Sequence, residues 1–325
     1  MRRVGTRRWC VAACIAVAAA PALSACGGGG SKKTASTPAP NLSPAKFPRG
    51  SSLQAIAANL PQGPILAPGS SVLRPGTNRF AFGLFDAARK QIAGVPVALY
   101  VASASGMNAR GPFLARSESL TVKPQFQSQT NAQDPNAAKQ VYLATLPLGA
   151  ARAQVVMAVA NLDGRMVVST PTPLQVGPGR APPQVGAPAI KVHTPTSPPS
   201  PIASIDTRVP PDSMHDVDFA SVLGRKPVLL VFATPALCMS RTCGPIVDEA
   251  EQLKATYGSR IAFIHMEIYK NNDIRQGYRP QFLAWHLPTE PWVFAIDRRG
   301  RIAAELEGPA STSEIQQAIE KALKT

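Results

Sequence analysis

Two cysteines, Cys238 and Cys243, stand close together in the run Leu237-Cys238-Met239-Ser240-Arg241-Thr242-Cys243-Gly244-Pro245. A thiol pair at this spacing can exchange disulfides: one thiolate forms an intermolecular disulfide and the other resolves it. The pair closes only if the loop between them folds back. Pro245 is suited to the first turn of a helix, which places Cys243 beside a helix N-terminus. Orphan N–H groups and the helix dipole there lower a thiol pKa. Asp248 and Glu249 oppose that effect, and Arg241 favours either thiolate. The alternative is a staple that never exchanges, but a disulfide closing so short a loop stabilises little. The chain holds three more cysteines, Cys10, Cys14 and Cys26, all near its start.

The elements around the pair alternate in type. Val228-Leu229-Leu230-Val231-Phe232-Ala233 is a continuous apolar run, as in a strand buried on both faces. Ile246, Val247, Ala250, Leu253 and Tyr257 fall on one helical face. Ile261–Ile268 reads as a second strand, Pro280–Leu287 as a short helix and Trp292–Ile296 as a third strand. A turn at Asp297–Gly300 leads into a fourth strand over Arg301–Leu306. Ser311 and Glu314 form a capping box for a last helix that turns Ile315, Ala318, Ile319, Ala322 and Leu323 inward. The order β-α-β-α-β-β-α gives a mixed sheet with helices on both faces.

That order and its motifs resemble the thioredoxin fold, in particular extracytoplasmic TlpA/ResA-like thiol-disulfide oxidoreductases. The stretch Phe219–Pro235, containing Gly224-Arg225-Lys226-Pro227 and Val231-Phe232-Ala233-Thr234-Pro235, is similar to that family's lead into its active-site helix. Cys243-Gly244-Pro245 matches the start of the family's C-G-P-C, and Pro291–Gly300 is similar to its P-x-x-x-x-I-D-x-x-G. By this resemblance Pro291 is a cis-proline facing the disulfide and docks substrate. Glu290, which precedes it, is a candidate proton carrier at the site, the plainer reading being a solvated acid. The family's second cysteine is replaced here by Ile246, and the other thiol lies upstream at Cys238. The Cys-Gly-Pro match points to Cys243 as the attacking thiol, while loop exposure favours Cys238. The resemblance covers about 120 residues, from about Ile205 to the end.

Sco-type copper chaperones also resemble this arrangement, with a thioredoxin fold, two nearby cysteines and a distant histidine. Cys238, Cys243, His265 and His286 are the corresponding ligand candidates, since thiolate and imidazole suit copper. The Cys-x4-Cys spacing is one residue longer than theirs. His265 sits in an apolar strand, where a core histidine is the plainer reading. Thr234-Pro235 before Cys238 also resembles a peroxiredoxin approach. The redox reading needs no cofactor.

The chain has 325 residues, a net charge of +15, 33 prolines and 45% hydrophobic residues. That apolar share excludes a wholly disordered protein. Arg2, Arg3, Arg7 and Arg8 followed by an apolar stretch from Trp9 to Leu23 read as a secretory signal over residues 1–25. Leu23-Ser24-Ala25-Cys26 resembles the lipobox of bacterial lipoproteins, which implies lipidation of Cys26 and an anchor on the outer face of the cell membrane. Cys10 and Cys14 leave with the signal, so the mature chain keeps one thiol pair in a compartment that permits disulfides. Residues 26–50 are a Gly/Ser/Lys/Pro tether.

Residues 51–177 hold several short apolar strands with turn signals, among them Asp163-Gly164. They suggest an all-β, immunoglobulin-like sandwich, with a polar, loop-rich region over Gly106–Lys139. Residues 178–204 are a Pro-rich linker, and 205–325 the thioredoxin-like α/β domain. From Cys26 to Ser204 there are 16 basic and 4 acidic residues, against 14 and 15 from Ile205 onward. The basic part is membrane-proximal, which suits attraction to anionic membrane or cell-wall polymer; the alternative is a plain solvated surface. Nucleic acid is not expected of an exported chain with no aromatic-interleaved basic motif. Protein thiols and disulfides outside the cytoplasm are the expected substrates.

Overall fold

The structure is a computed structural model, and it describes residues 46–177 and 179–324. The expected signal, Cys10, Cys14 and the expected lipidation site Cys26 lie outside the described residues. Among the described residues no helix is long and apolar enough to cross a membrane.

The first part is a curled antiparallel sheet of eight strands. These are β1 (Ile65–Pro68), β2 (Gly76–Phe85), β3 (Val97–Ser103), β4 (Arg110–Ser119), β5 (Gln140–Leu148), β6 (Ala153–Leu162), β7 (Arg165–Val168) and β8 (Thr172–Gln175). Their order is β1-β2-β5-β4-β3-β6-β7, with β8 also on β6. The sheet wraps a core containing Phe80, Phe82, Leu99, Tyr142 and Val156. Alternate residues of β3 point the other way: Ala98, Tyr100 and Ala102 pack with Phe47 and with Leu53 and Ile56 of α1 (Leu53–Ala57). Two covered faces explain why β3 reads as one unbroken apolar run. Asp163 and Gly164, both at positive φ (51° and 91°), form the tight turn joining β6 to β7.

One expectation fails here. Residues 110–119 are strand β4, not loop, and β4 pairs with β3 through one half and with β5 through the other. Its polar side chains hid the alternation. Arg116 reaches Glu314 at 3.4 Å while staying half exposed, and Glu118 accepts from Ser311 Oγ, so these positions have polar partners across an interface.

The second part is a four-stranded sheet of β9 (Val228–Phe232), β10 (Ala262–Met266), β11 (Trp292–Ile296) and β12 (Ile302–Glu307). The order is β10-β9-β11-β12; β10 and β9 are parallel, and β11 runs antiparallel to both β9 and β12. β9, β10 and β11 are buried at every position, because both faces are covered. On one face Leu229, Val231 and Val293 meet α4 (Cys243–Tyr257) and α6 (Thr312–Lys324). On the other, Phe232, Phe294 and Trp292 meet Phe219 of α3 (Phe219–Val222) and Phe282 of α5 (Pro280–Ala284), with Trp285 just beyond it. The fifteen-residue α4 packs on the first of these faces through Ile246, Val247, Ala250 and Leu253; Cys243 opens it and Cys238 stands on the loop before it.

The parts are joined by charge pairs. Arg79 grips both oxygens of Glu314 at 2.8 Å and the Glu307 carbonyl at 2.8 Å. Arg74 meets Glu305 at 3.2 Å, and the Glu307 carboxylate accepts from the Ser71 and Val72 N–H groups. Part of the positive charge of the sheet region is therefore turned inward. Ser311 caps α6 by accepting from Glu314 N, but the Glu314 carboxylate serves Arg79, so only half of the capping box forms. Within the Pro-rich stretch, Gly186 and Ala189 donate to the carbonyls of Ile302 and Gly300, and Ile190 and Val192 pack on the aromatic face of the second sheet.

Candidate active site

The chain leaves β9 at Phe232 and enters α4 at Cys243. Between them it turns twice. Leu237 N donates to the Thr234 carbonyl, and Arg241 N donates to the Cys238 carbonyl. Arg241 takes a left-handed conformation (φ 57°), uncommon for a residue with a Cβ. Its guanidinium is tied to Asp134 at 2.8 Å, which fixes the turn against the first part. The turn carries Cys238 back over the start of α4, where its sulfur accepts from Cys243 N at 3.4 Å. Both cysteines are free thiols.

The two sulfurs have opposite environments. Cys238 is half-buried, and Met239 beside it is 95% exposed. The Cys238 thiol is lowered to about 6, first by the hydrogen bond from the Cys243 thiol, against its own burial. The Ser240 hydroxyl, 3.2 Å away, and the N–H groups of Cys243 and Thr242 lower it further. Cys243 is fully buried, and burial pushes its thiol well above the usual range; the neighbouring Cys238 and Glu290 push the same way. The helix start thus favours the thiolate of Cys238, because the side chain of Cys243 points into the core. Cys243 does open α4, as the sequence reading expects, but the lowering expected there falls on the sulfur of Cys238 rather than its own. The two acids expected to oppose a thiolate are also accounted for. Asp248 pairs with Arg208 at 2.8 Å, and Glu249 is buried with its carboxyl held neutral.

Glu290 completes the group. One oxygen of its carboxyl lies within 4.8 Å of both sulfurs. Burial raises this acid to about 8, helped by the charges of Cys238 and Glu267. Its Oε2 is buried without a hydrogen-bond partner. The Glu290–Pro291 peptide is cis, and the Pro291 carbonyl accepts from Gly308 N. A groove of about 490 Å³ opens here, lined by Ser240, Thr242 and Glu290 on one side and by Ala67, Pro68 and Phe85 of the curled sheet on the other.

The structure does not bring the two candidate histidines to the cysteines. His286 is exposed in the turn after α5. His265 is buried in β10, with Nδ1 2.7 Å from Asp212 and Nε2 3.2 Å from the Ala233 carbonyl. It groups with Asp206, Asp212 and His215, whereas the cysteines group with Glu290. Sequence reasoning missed Ser240 and Thr242, which lie between the two cysteines and which the back-turn of the loop brings to the Cys238 sulfur. It also missed Asp206, Asp212 and His215. Their close spacing ahead of β9 is the one trace they leave in the sequence.

No protein-family model matches the chain, and no curated protein matches it. Among solved structures it is similar to a chain described as a thiol:disulfide interchange protein DsbE from Chlorobium tepidum. The two are 16% identical, with 43% of this chain and 98% of that one covered, at a TM-score of 0.33.

Proposed function

We propose that the chain is a thiol-disulfide oxidoreductase working through Cys238 and Cys243. The observation that carries this reading is the asymmetry of the pair: an accessible sulfur held as thiolate against a buried one held as thiol. An inert staple needs no such division. The four-stranded sheet with its parallel β10-β9 pair, the helix running from the cysteine loop and the proline next to Glu290 support a thioredoxin-like domain. The curled sheet, covered on both faces of β3, supports an immunoglobulin-like domain beside it.

In the reductive direction the Cys238 thiolate attacks one sulfur of a substrate disulfide. A Cys238–substrate disulfide forms, and the substrate's other sulfur leaves as a thiolate that takes a proton from water. Cys243 then gives its proton to the Glu290 carboxylate and attacks Cys238 Sγ. The Cys238–Cys243 disulfide forms and the first substrate sulfur departs. The substrate gains two electrons and the pair loses two. Run backwards, the same steps oxidise a dithiol. The apolar wall at Ala67, Pro68 and Phe85 suits a polypeptide rather than a small thiol. A lipid on Cys26 and the basic first part would hold this chemistry at the outer face of the membrane.

The test is turnover of a peptide disulfide by the full chain and by Cys238→Ser and Cys243→Ser. Each variant should lose more than 99% of turnover. Cys243→Ser should accumulate a mixed disulfide on Cys238. Full turnover in both variants would end the proposal.

A further inference from the structure

Asp206, Asp212 and His215 lie on the segment leading into the second part, and His265 lies on β10. Their side chains are 0%, 0%, 4% and 0% exposed. One ligand atom from each falls within 4.8 Å of the others. We infer that these four residues form a structural Zn²⁺ site, separate from the thiol pair.

One buried nitrogen of the cluster sits between two carboxylates without a directed hydrogen bond. His215 Nε2 lies 3.4 Å from Asp206 Oδ2 and 3.4 Å from Asp212 Oδ1, yet makes a directed hydrogen bond to neither. A buried polar atom left unsatisfied is costly. The same spacing is the edge of a tetrahedron: bonds of about 2.0–2.2 Å set zinc ligands about 3.3–3.6 Å apart. His265 Nδ1 faces the same carboxylates, 2.7 Å from Asp212 Oδ2 and 4.0 Å from Asp206 Oδ1.

The ligands are also supported from behind. The outer nitrogen of His265 meets the Ala233 carbonyl, the arrangement that orients a metal-bound imidazole. Arg208 N and Asp212 N donate to the two oxygens of Asp206 at 2.7 Å, and Met214 N donates to Asp212 Oδ1 at 2.8 Å. These bonds fix the carboxylates and leave each oxygen a lone pair. Two imidazoles and two carboxylates suit Zn²⁺, while copper(I) selects sulfur and Mg²⁺ or Ca²⁺ selects oxygen alone. Binding displaces the proton that His265 Nδ1 shares with Asp212. The ion would clamp residues 206–215 to β10 and, through Ala233, to the start of the cysteine loop.

The experiment uses the full chain with all five cysteines, Cys10, Cys14, Cys26, Cys238 and Cys243, changed to Ser, which removes every thiol as a competing site. The chain is loaded with Zn²⁺, passed over a weak chelating resin and assayed for metal; Co²⁺ loading gives the coordination spectrum. The expected result is one Zn²⁺ per chain, a raised Tm and a four-coordinate Co²⁺ spectrum. His215→Ala and Asp206→Asn should lower retained metal at least tenfold, while His193→Ala and His286→Ala should not. A folded chain that retains no Zn²⁺ and gives only the spectrum of hydrated Co²⁺ would overturn the site and leave an ion-pair network in its place. This holds whether or not the variants fold. Full retention in a folded His215→Ala variant would overturn it equally.

Discussion

Cys238 should react as a thiolate far below the pH at which an ordinary cysteine does. Its thiol is lowered from 9.0 to about 6. At pH 7 the thiolate fraction is then about 90%, against about 1% for the unperturbed group. Intrinsic nucleophilicity falls with basicity, and a Brønsted slope of about 0.4–0.5 over that drop takes back roughly 15–30-fold. The net gain at pH 7 is only about 3–6-fold. At pH 5 the thiolate ratio approaches about 10³ and the net gain about 30–60-fold. The midpoint of the profile is therefore more telling than any single rate. The assay is alkylation by iodoacetamide from pH 4 to 9, with peptide masses assigning the site. Cys238 should label with a midpoint near 6, and Cys243 should resist while the chain is folded. Cys243→Ala removes the hydrogen bond that lowers Cys238 most and should raise the midpoint more than Ser240→Ala does. Preferential labelling of Cys243, or a Cys238 midpoint near 9, would refute the asymmetry.

Three further outcomes follow from the same contacts. Glu290→Gln removes the group that accepts the Cys243 proton. Resolution of the mixed disulfide should slow by about 10²-fold, a modest general-base effect, and the rate limb set by this acid, which falls below about 8 once Cys238 is uncharged in the disulfide, should vanish, as read by stopped-flow quenching. Arg208→Met takes the cation from buried Asp248, whose carboxyl burial already raises, and leaves it only the hydrogen bonds from Ser128 and Asn131; this should cost up to about 3–5 kcal/mol in urea unfolding. In Glu249→Gln the gain is pH-dependent. The native carboxyl is held neutral well above its usual range, so the wild type loses stability as pH rises above the unfolded value, where only the unfolded chain ionises. The variant's Tm advantage should be near zero at pH 4 and grow through pH 8. A constant difference would count against a buried neutral acid.

The second part was legible because its signals are strong and local. The unbroken apolar runs at 228–233, 261–268 and 292–296, the inward face of α4 and the cap at Ser311 all have direct physical causes. β4 was not legible, because Arg116 and Glu118 are polar for the sake of Ser311 and Glu314, roughly two hundred residues away in sequence. Half of the capping box was misread for the same reason: Glu314 is drawn to Arg79. The cysteine pair could be read from its spacing, but not its division of labour. That division follows from one left-handed residue, Arg241, whose tie to Asp134 no local pattern announces. The Asp/His cluster escaped because three of its members sit among turns, where spacing shows nothing until the chain brings them to His265.

The proposed chemistry requires the Cys238–Cys243 pair to exchange electrons with substrates. The reduction potential of the pair in the full chain, equilibrated with glutathione buffers and trapped by acid and alkylation, tests it most directly. A stabilised Cys238 thiolate favours the reduced form, so the potential should lie between roughly −120 and −270 mV, the range of exchange proteins. A potential below about −300 mV would mark a structural staple and contradict the account, as would failure of the two thiols to form the bond at all.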